Sequence, residues 1–230
     1  MLNKLSKYQI ATFTAIFFHL VGLVGILVYD NAFFIRSTPF NMVLSGALLI
    51  WTQKNKNIYF YFFLVIACVI GFVVEVIGVN TGLLFGDYGY GKVLGFQWKN
   101  VPLLIGLNWF IVMYCSGISI YTLLTRVIKQ VAVETKAPSM VLKAMSVIAD
   151  GATLAVLLDW LMEPVAIKLG YWQWNGGDSV PLYNYICWVV VGALLLTVFH
   201  FCKFDKQNKF AINLLLIQVM FFLLLRTFLK

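Results

Sequence analysis

The feature that most constrains this chain is a succession of long apolar runs, at roughly 8–29, 40–52, 58–79, 102–124, 140–162, 182–201 and 210–229. A helix needs ~20 apolar residues to cross the hydrocarbon core of a bilayer. Inside lipid every backbone polar group must be satisfied within the protein, so separate runs of this length read as helices. The expected architecture is all-α: a polytopic membrane protein with about seven transmembrane helices, forming one integral membrane domain over 1–230. The second run is short and extends back through Phe33 and Phe34. The first has the position of a signal peptide, but no small-residue cleavage site follows it, so it is kept as a span.

Composition agrees. The chain is 62% hydrophobic and 11% charged, against ~25% charged in an average soluble domain, and its mean hydropathy is +0.90. Disorder, a secreted disulfide scaffold and an ordinary soluble enzyme are excluded. The net charge of +8 does not signal nucleic acid, because the 17 basic residues are spread singly along the connections. They encode orientation instead. Lys4, Lys7, Lys54, Lys56, Arg126, Lys129, Lys136, Lys203, Lys206 and Lys209 fall on the amino-terminal side, against Arg36, Lys92, Lys99, Lys168 and Lys230 on the other. That bias predicts a cytoplasmic N-terminus in the cell (inner) membrane. Cys68, Cys115, Cys187 and Cys202 lie in or beside apolar runs without a CxxC pair. They read as small hydrophobes, with neither disulfides nor metal ligation expected.

Two connections, 78–101 and 163–181, are long, lie on the side away from the N-terminus and are rich in Gly, Tyr and Trp. Trp and Tyr favour the headgroup level, so an interfacial belt is the plain reading. Long aromatic loops in a compact protein are also commonly functional. Order favours the second reading. Val101-Pro102-Leu103 and Val180-Pro181-Leu182 each open a helix and are each followed, after five residues, by a Trp (Trp109 and Trp188). An aromatic-glycine segment precedes each, and an acidic residue, Glu75 or Asp159, precedes that. The third and fourth spans (71–126) and the fifth and sixth (145–200) therefore read as a pseudo-repeat of two hairpins, with two acidic helix ends facing one pocket.

A charge at the bilayer centre costs ~2.5–3.5 kcal/mol, so carboxyl groups within spans need a reason. Glu75, Asp150, Asp159 and Glu163 are such groups. Asp159 and Glu163 are four apart and share a helical face, whereas Asp150 faces nearly the opposite way and reads as structural. Carboxyl groups in low dielectric tend to stay protonated, and a protonated one beside an apolar pocket is a Brønsted acid. The alternative is that these groups glue helices together through Asn108, Asn184 or a Tyr. His19 and His200 fall at different depths, which argues against a haem between them. No HExxH, clustered-Asp, nucleotide-binding glycine or Gly-x-Ser-x-Gly pattern occurs. No metal and no cofactor are expected. Acids and aromatic faces suit protonation of an alkene. Proton addition to a trisubstituted isoprenyl double bond gives a tertiary carbocation that Tyr and Trp faces stabilise, and water then adds.

Glu75, Thr81-Gly82, Phe85-Gly86, Tyr88 and Tyr90, then Val101-Pro102-Leu103-Leu104 and Asn108-Trp109-Phe110, resemble the membrane-bound carotenoid biosynthesis proteins of the carotenoid 1,2-hydratase type. Asp159, Glu163-Pro164, Gly170-Tyr171-Trp172, Trp174, Val180-Pro181-Leu182, Asn184 and Trp188 extend the resemblance across about 71–193. Where this chain has Glu163 the family often has Asp, a conservative departure. The resemblance implies hydration of the C1–C2 double bond at the ψ-end of an acyclic or monocyclic carotenoid, giving a 1-hydroxy carotenoid. It implies a carotenoid substrate drawn from the bilayer, contact with membrane lipids, and association with other enzymes of the pathway. Carried over, Glu75 and Asp159 are the acid and water-orienting pair, with Glu163 and Asp87 in support. Tyr88, Tyr90, Trp109, Tyr171, Trp172 and Trp188 shape the pocket, and Asn108 and Asn184 position water or a carboxylate. Three other readings stand beside this one. The chain could bind or transport an isoprenoid, or it could be a carotenoid cyclase or isomerase that shares the first proton transfer. A retinal photoreceptor is disfavoured because the last run has no Lys inside it.

Overall fold

A computed structural model describes residues 5–29, 31–131, 140–175, 177 and 179–229. Its helices are α1 (Lys7–Val28), α2 (Asn31–Arg36), α3 (Thr38–Thr52), α4 (Ile58–Thr81), α5 (Leu104–Val131), α6 (Met140–Lys168), α7 (Leu182–Phe201) and α8 (Lys209–Phe228). Six of them are long and apolar enough to cross a membrane, and α3 is an apolar helix of 15 residues. At ~1.5 Å per residue α3 is about 22 Å long, short of the ~30 Å hydrocarbon core. Its two ends nevertheless reach opposite faces. Thr38 at its start shares a hydrogen bond with Tyr171, 2.6 Å, and Gln53 just past its end donates to the Asp205 carbonyl, 2.7 Å. The small helix α2, from Asn31 to Arg36, precedes α3, as the apolar residues ahead of the run suggested. Among the described residues, six long helices and the shorter α3 thus run between the two faces.

The remaining helix boundaries follow local chemistry. Ser6 and Gln9 close a capping box at the start of α1. Asn57 caps α4, which ends at Gly82 with a left-handed φ of 67°. The fifth run was expected to stop near Met162, ahead of Pro164. Instead α6 continues to Lys168. Proline withdraws the amide that would bond to the carbonyl four residues back. That carbonyl belongs to Trp160, and the Arg226 guanidinium of α8 donates to it at 2.8 Å while stacking 3.9 Å over the Trp160 ring. A side chain from a neighbouring helix replaces the missing donor, so the helix survives.

α5 is central: 109–116 is buried without a break, the pattern of a helix enclosed on all sides. It packs between the α4 and α6–α7 layers, while α1 pairs with α8. Phe13, Phe17, Val65, Val69, Val190 and Leu194 are exposed on the outer surface, as a lipid-facing wall requires. This is an integral membrane protein.

The long connections depart from a purely helical picture. Tyr88–Tyr90 forms strand β1, Gln97–Trp98 forms β2, Val101–Pro102 forms β3 and Trp172–Trp174 forms β4. β1 and β4, one from each aromatic connection, pair antiparallel with Tyr88 opposite Trp174 and Tyr90 opposite Trp172. The β2–β3 ribbon folds the first connection back onto the helices. Alternate residues of a strand share a face, so two Tyr and two Trp side chains point together from the β1–β4 ribbon.

Candidate active site

That aromatic ribbon covers a narrow cavity of about 30 Å³ into which three carboxyl side chains project: Glu75 of α4, and Asp159 and Glu163 of α6. All three are buried, at 5%, 2% and 3% exposure. Glu75 sits in a cage of donors. The Tyr88 and Tyr90 hydroxyls donate to its Oε2 at 2.5 and 2.7 Å, and the Trp109 indole donates to its Oε1 at 2.9 Å. Burial first, and the adjacent Glu75 second, push both tyrosines well above the ordinary range, so both remain protonated donors.

Glu163 has a matching cage built from indoles. Trp172 and Trp174 donate to its Oε2 at 2.9 and 3.2 Å. The Asn184 amide of α7 reaches its Oε1 at 3.3 Å and Asp159 Oδ2 at 3.0 Å. Each glutamate also stands seven residues before a left-handed glycine, Gly82 at φ 67° and Gly170 at φ 71°. Glu163 is therefore the geometric counterpart of Glu75, where the sequence pairing had set Asp159. Asp159 lies one helical turn deeper, and among the described residues its donor is the Asn184 amide.

Beneath the cages Trp109 and Trp188, the two tryptophans of the Val-Pro-Leu motifs, stack at 4.1 Å with a 15° tilt. Gly71 makes room for this pair: a Cβ there would collide with Trp109, 2.7 Å from its Cδ1 and nearer still to Cβ and Cγ.

The cavity wall thus unites Glu75, Tyr88, Tyr90, Asn108, Asp159, Glu163, Trp172, Asn184 and Trp188, all expected from the sequence. Trp109 acts from behind, through Glu75 and Trp188. Tyr171 lines an adjoining cavity and bonds Thr38. Asp87 is not brought to the site. It is exposed and accepts from Asn175, 2.8 Å, fastening one aromatic connection to the other. Asp150 is also exposed and bonded by Ser146. Trp174 and Phe85, part of the resemblance but not named as site residues, also line the cavity, as do Ile105 and Met162. The alternation Trp172-x-Trp174 was the available signal for Trp174, since it matches Tyr88-x-Tyr90. Phe85 holds a positive φ of 65°, backbone strain of the kind that gathers at functional sites, which a sequence does not display.

The class defined here is a helical membrane protein whose buried carboxyl groups sit under a lid of tyrosines and tryptophans. The family model described as "Carotenoid biosynthesis protein" matches residues 38–230, and the chain belongs to that family. Over 140 residues it is 26% identical to the bisanhydrobacterioruberin hydratase of Haloarcula japonica, a match covering 59% of this chain and 42% of that relative. This chain thus spans less than half of the relative's length in the match. No solved structure matches.

Proposed function

We propose that the protein is a carotenoid 1,2-hydratase, a cofactor-independent hydro-lyase acting at the ψ-end of an acyclic or monocyclic carotenoid. The observation that carries this reading is the unequal provision of donors to three buried carboxyl groups around one cavity. Glu75 and Glu163, each held by three donors, suit the ionised form. Asp159, with a single amide donor, suits the neutral acid. Asp159 gives its proton to C2 of the terminal double bond, and the π electrons form the new C–H bond. The tertiary cation left at C1 faces Tyr and Trp rings, which stabilise it without attacking it. Asn108 orients a water whose oxygen bonds to C1 and whose proton passes to Glu75. Return of that proton to Asp159 resets the site.

Family membership over residues 38–230 and the hydratase relative support the substrate class. The unbranched Met162 side chain borders both this cavity and the adjoining one, and it is the wall best able to yield to an isoprenyl end. The polyene reaches the site from the bilayer, alongside other enzymes of the pathway. The charge bias supports an N-terminus on the cytoplasmic side of the cell membrane.

Expression in a bacterium that accumulates lycopene tests the reading. Liquid chromatography with mass detection should show a more polar pigment heavier by one water, and by two when both ends react. Lycopene, a monocyclic carotenoid and a longer-chain carotenoid all returned unchanged, with the protein present in the membrane, would move the assignment to binding or transport.

A further inference from the structure

A second cavity, of about 80 Å³, adjoins the carboxyl site and shares Ile105, Asn108, Met162 and Trp172 with it. Several polar side chains gather along one part of its wall. His19 of α1, Thr38, Asn41 and Ser45 of α3, Asn108 of α5, Gln218 of α8, and Tyr171 after α6 all border it. Asn41 Oδ1 and Gln218 Oε1 are buried and have no hydrogen-bond partner among the described residues. A buried acceptor without a partner is costly, so such groups call for a donor. Much of the wall is apolar, with Leu94, Ile111, Phe221 and Phe222 on it, but a space of this size with several acceptors and hydroxyls gathered in it has what ordered water requires. An apolar polyene would leave these groups unsatisfied.

We infer that this second cavity is the water chamber of the enzyme: it holds the co-substrate water, coordinated by Asn41 and Gln218, and releases it past Asn108 to the cation. The inference rests on the hydratase reading and adds to it the source of the water. It also explains how the cation is protected. Water kept to one side, behind Asn108, meets C1 only after protonation has occurred at Asp159.

The chamber decides the fate of the cation. With water supplied, C1 gains a C–O bond and a proton leaves to Glu75. Without it, the same cation loses a proton from C2 or from a methyl on C1, and an alkene is regenerated. The two fates separate in heavy water. The test uses purified full-length protein in detergent, with lycopene, in D₂O. Gln218→Met and Asn41→Leu each remove an acceptor and put an apolar side chain of similar size in its place. The 1-hydroxy product should fall about tenfold in each, roughly the worth of one lost hydrogen bond. Deuterium in the recovered, unhydrated lycopene should rise above the wild-type level. Hydration unchanged in both variants would overturn the inference. So would parallel loss of hydration and deuterium exchange in protein that remains folded, since the chamber would then be shaping the acid and not supplying water. Wild-type protein that neither hydrates nor deuterates any carotenoid would instead defeat the hydratase reading, and this inference with it.

Discussion

The two glutamate cages are built alike but not identically. Glu75 is held by two phenols and one indole, Glu163 by two indoles and an amide shared with Asp159. The contrast one turn deeper is sharper. On α6 that position carries Asp159. On α4 it is Gly71, whose missing side chain lets Trp109 lie against Trp188. One half therefore supplies a further acid where the other supplies space for an aromatic floor. Under the proposed mechanism these similar frames take different tasks: the α6 side moves the proton, and the α4 side holds charge and receives one.

The largest expected effect is on the proton donor. Asp159→Asn should lower hydration by about 10²–10⁴-fold, the usual worth of a general acid. Product per unit of membrane protein measures this, and near-normal turnover would erase the division of labour. Glu75→Gln should also abolish most activity, but with a second signature. An amide in a cage of three donors turns its own N–H toward a donor, so thermal stability should drop by about 1–3 kcal/mol. A thermal melt showing Asp159→Asn to be the less stable of the two would reverse the comparison.

Gly71→Ala tests the floor. The added methyl displaces Trp109, and activity should fall while the near-ultraviolet dichroism of the stacked indoles is lost. Overpacking of this kind costs about 1–3 kcal/mol. An intact dichroism signal would show that the stack does not depend on Gly71. Arg226→Met should weaken α6 beside Glu163 by about 1–3 kcal/mol, because the Trp160 carbonyl loses its donor. The melt should shift, with activity reduced less than in either carboxyl variant. Asp87→Asn should change least, within a few-fold in turnover, since it sits on the surface and touches only the pairing of the two connections.

Most of this was legible in the sequence, for physical reasons. Bilayer thickness turns apolar run length into helices, so six of the seven runs map onto spans with only their ends adjusted. The ends were missed where tertiary contacts rule. Nothing near Pro164 in sequence reveals that Arg226 will satisfy Trp160. The site residues stood out because carboxyl groups are costly in apolar runs and because the aromatic connections break the lipid-facing pattern. Their partnerships did not stand out. That Tyr88 lies opposite Trp174, making Glu163 the counterpart of Glu75, depends on strand pairing between residues 86 positions apart. The second cavity was invisible for the same reason: Asn41 and Gln218 come from α3 and α8, and only the packed bundle brings them to one space.

The central claim is that this site adds water to a carotenoid. The most direct test incubates purified protein with lycopene in water labelled with oxygen-18 and examines the pigments by mass spectrometry. A tertiary alcohol carrying one heavy oxygen for each reacted end is the result expected. A changed carotenoid without labelled oxygen would make the protein a cyclase or isomerase, and would contradict the account.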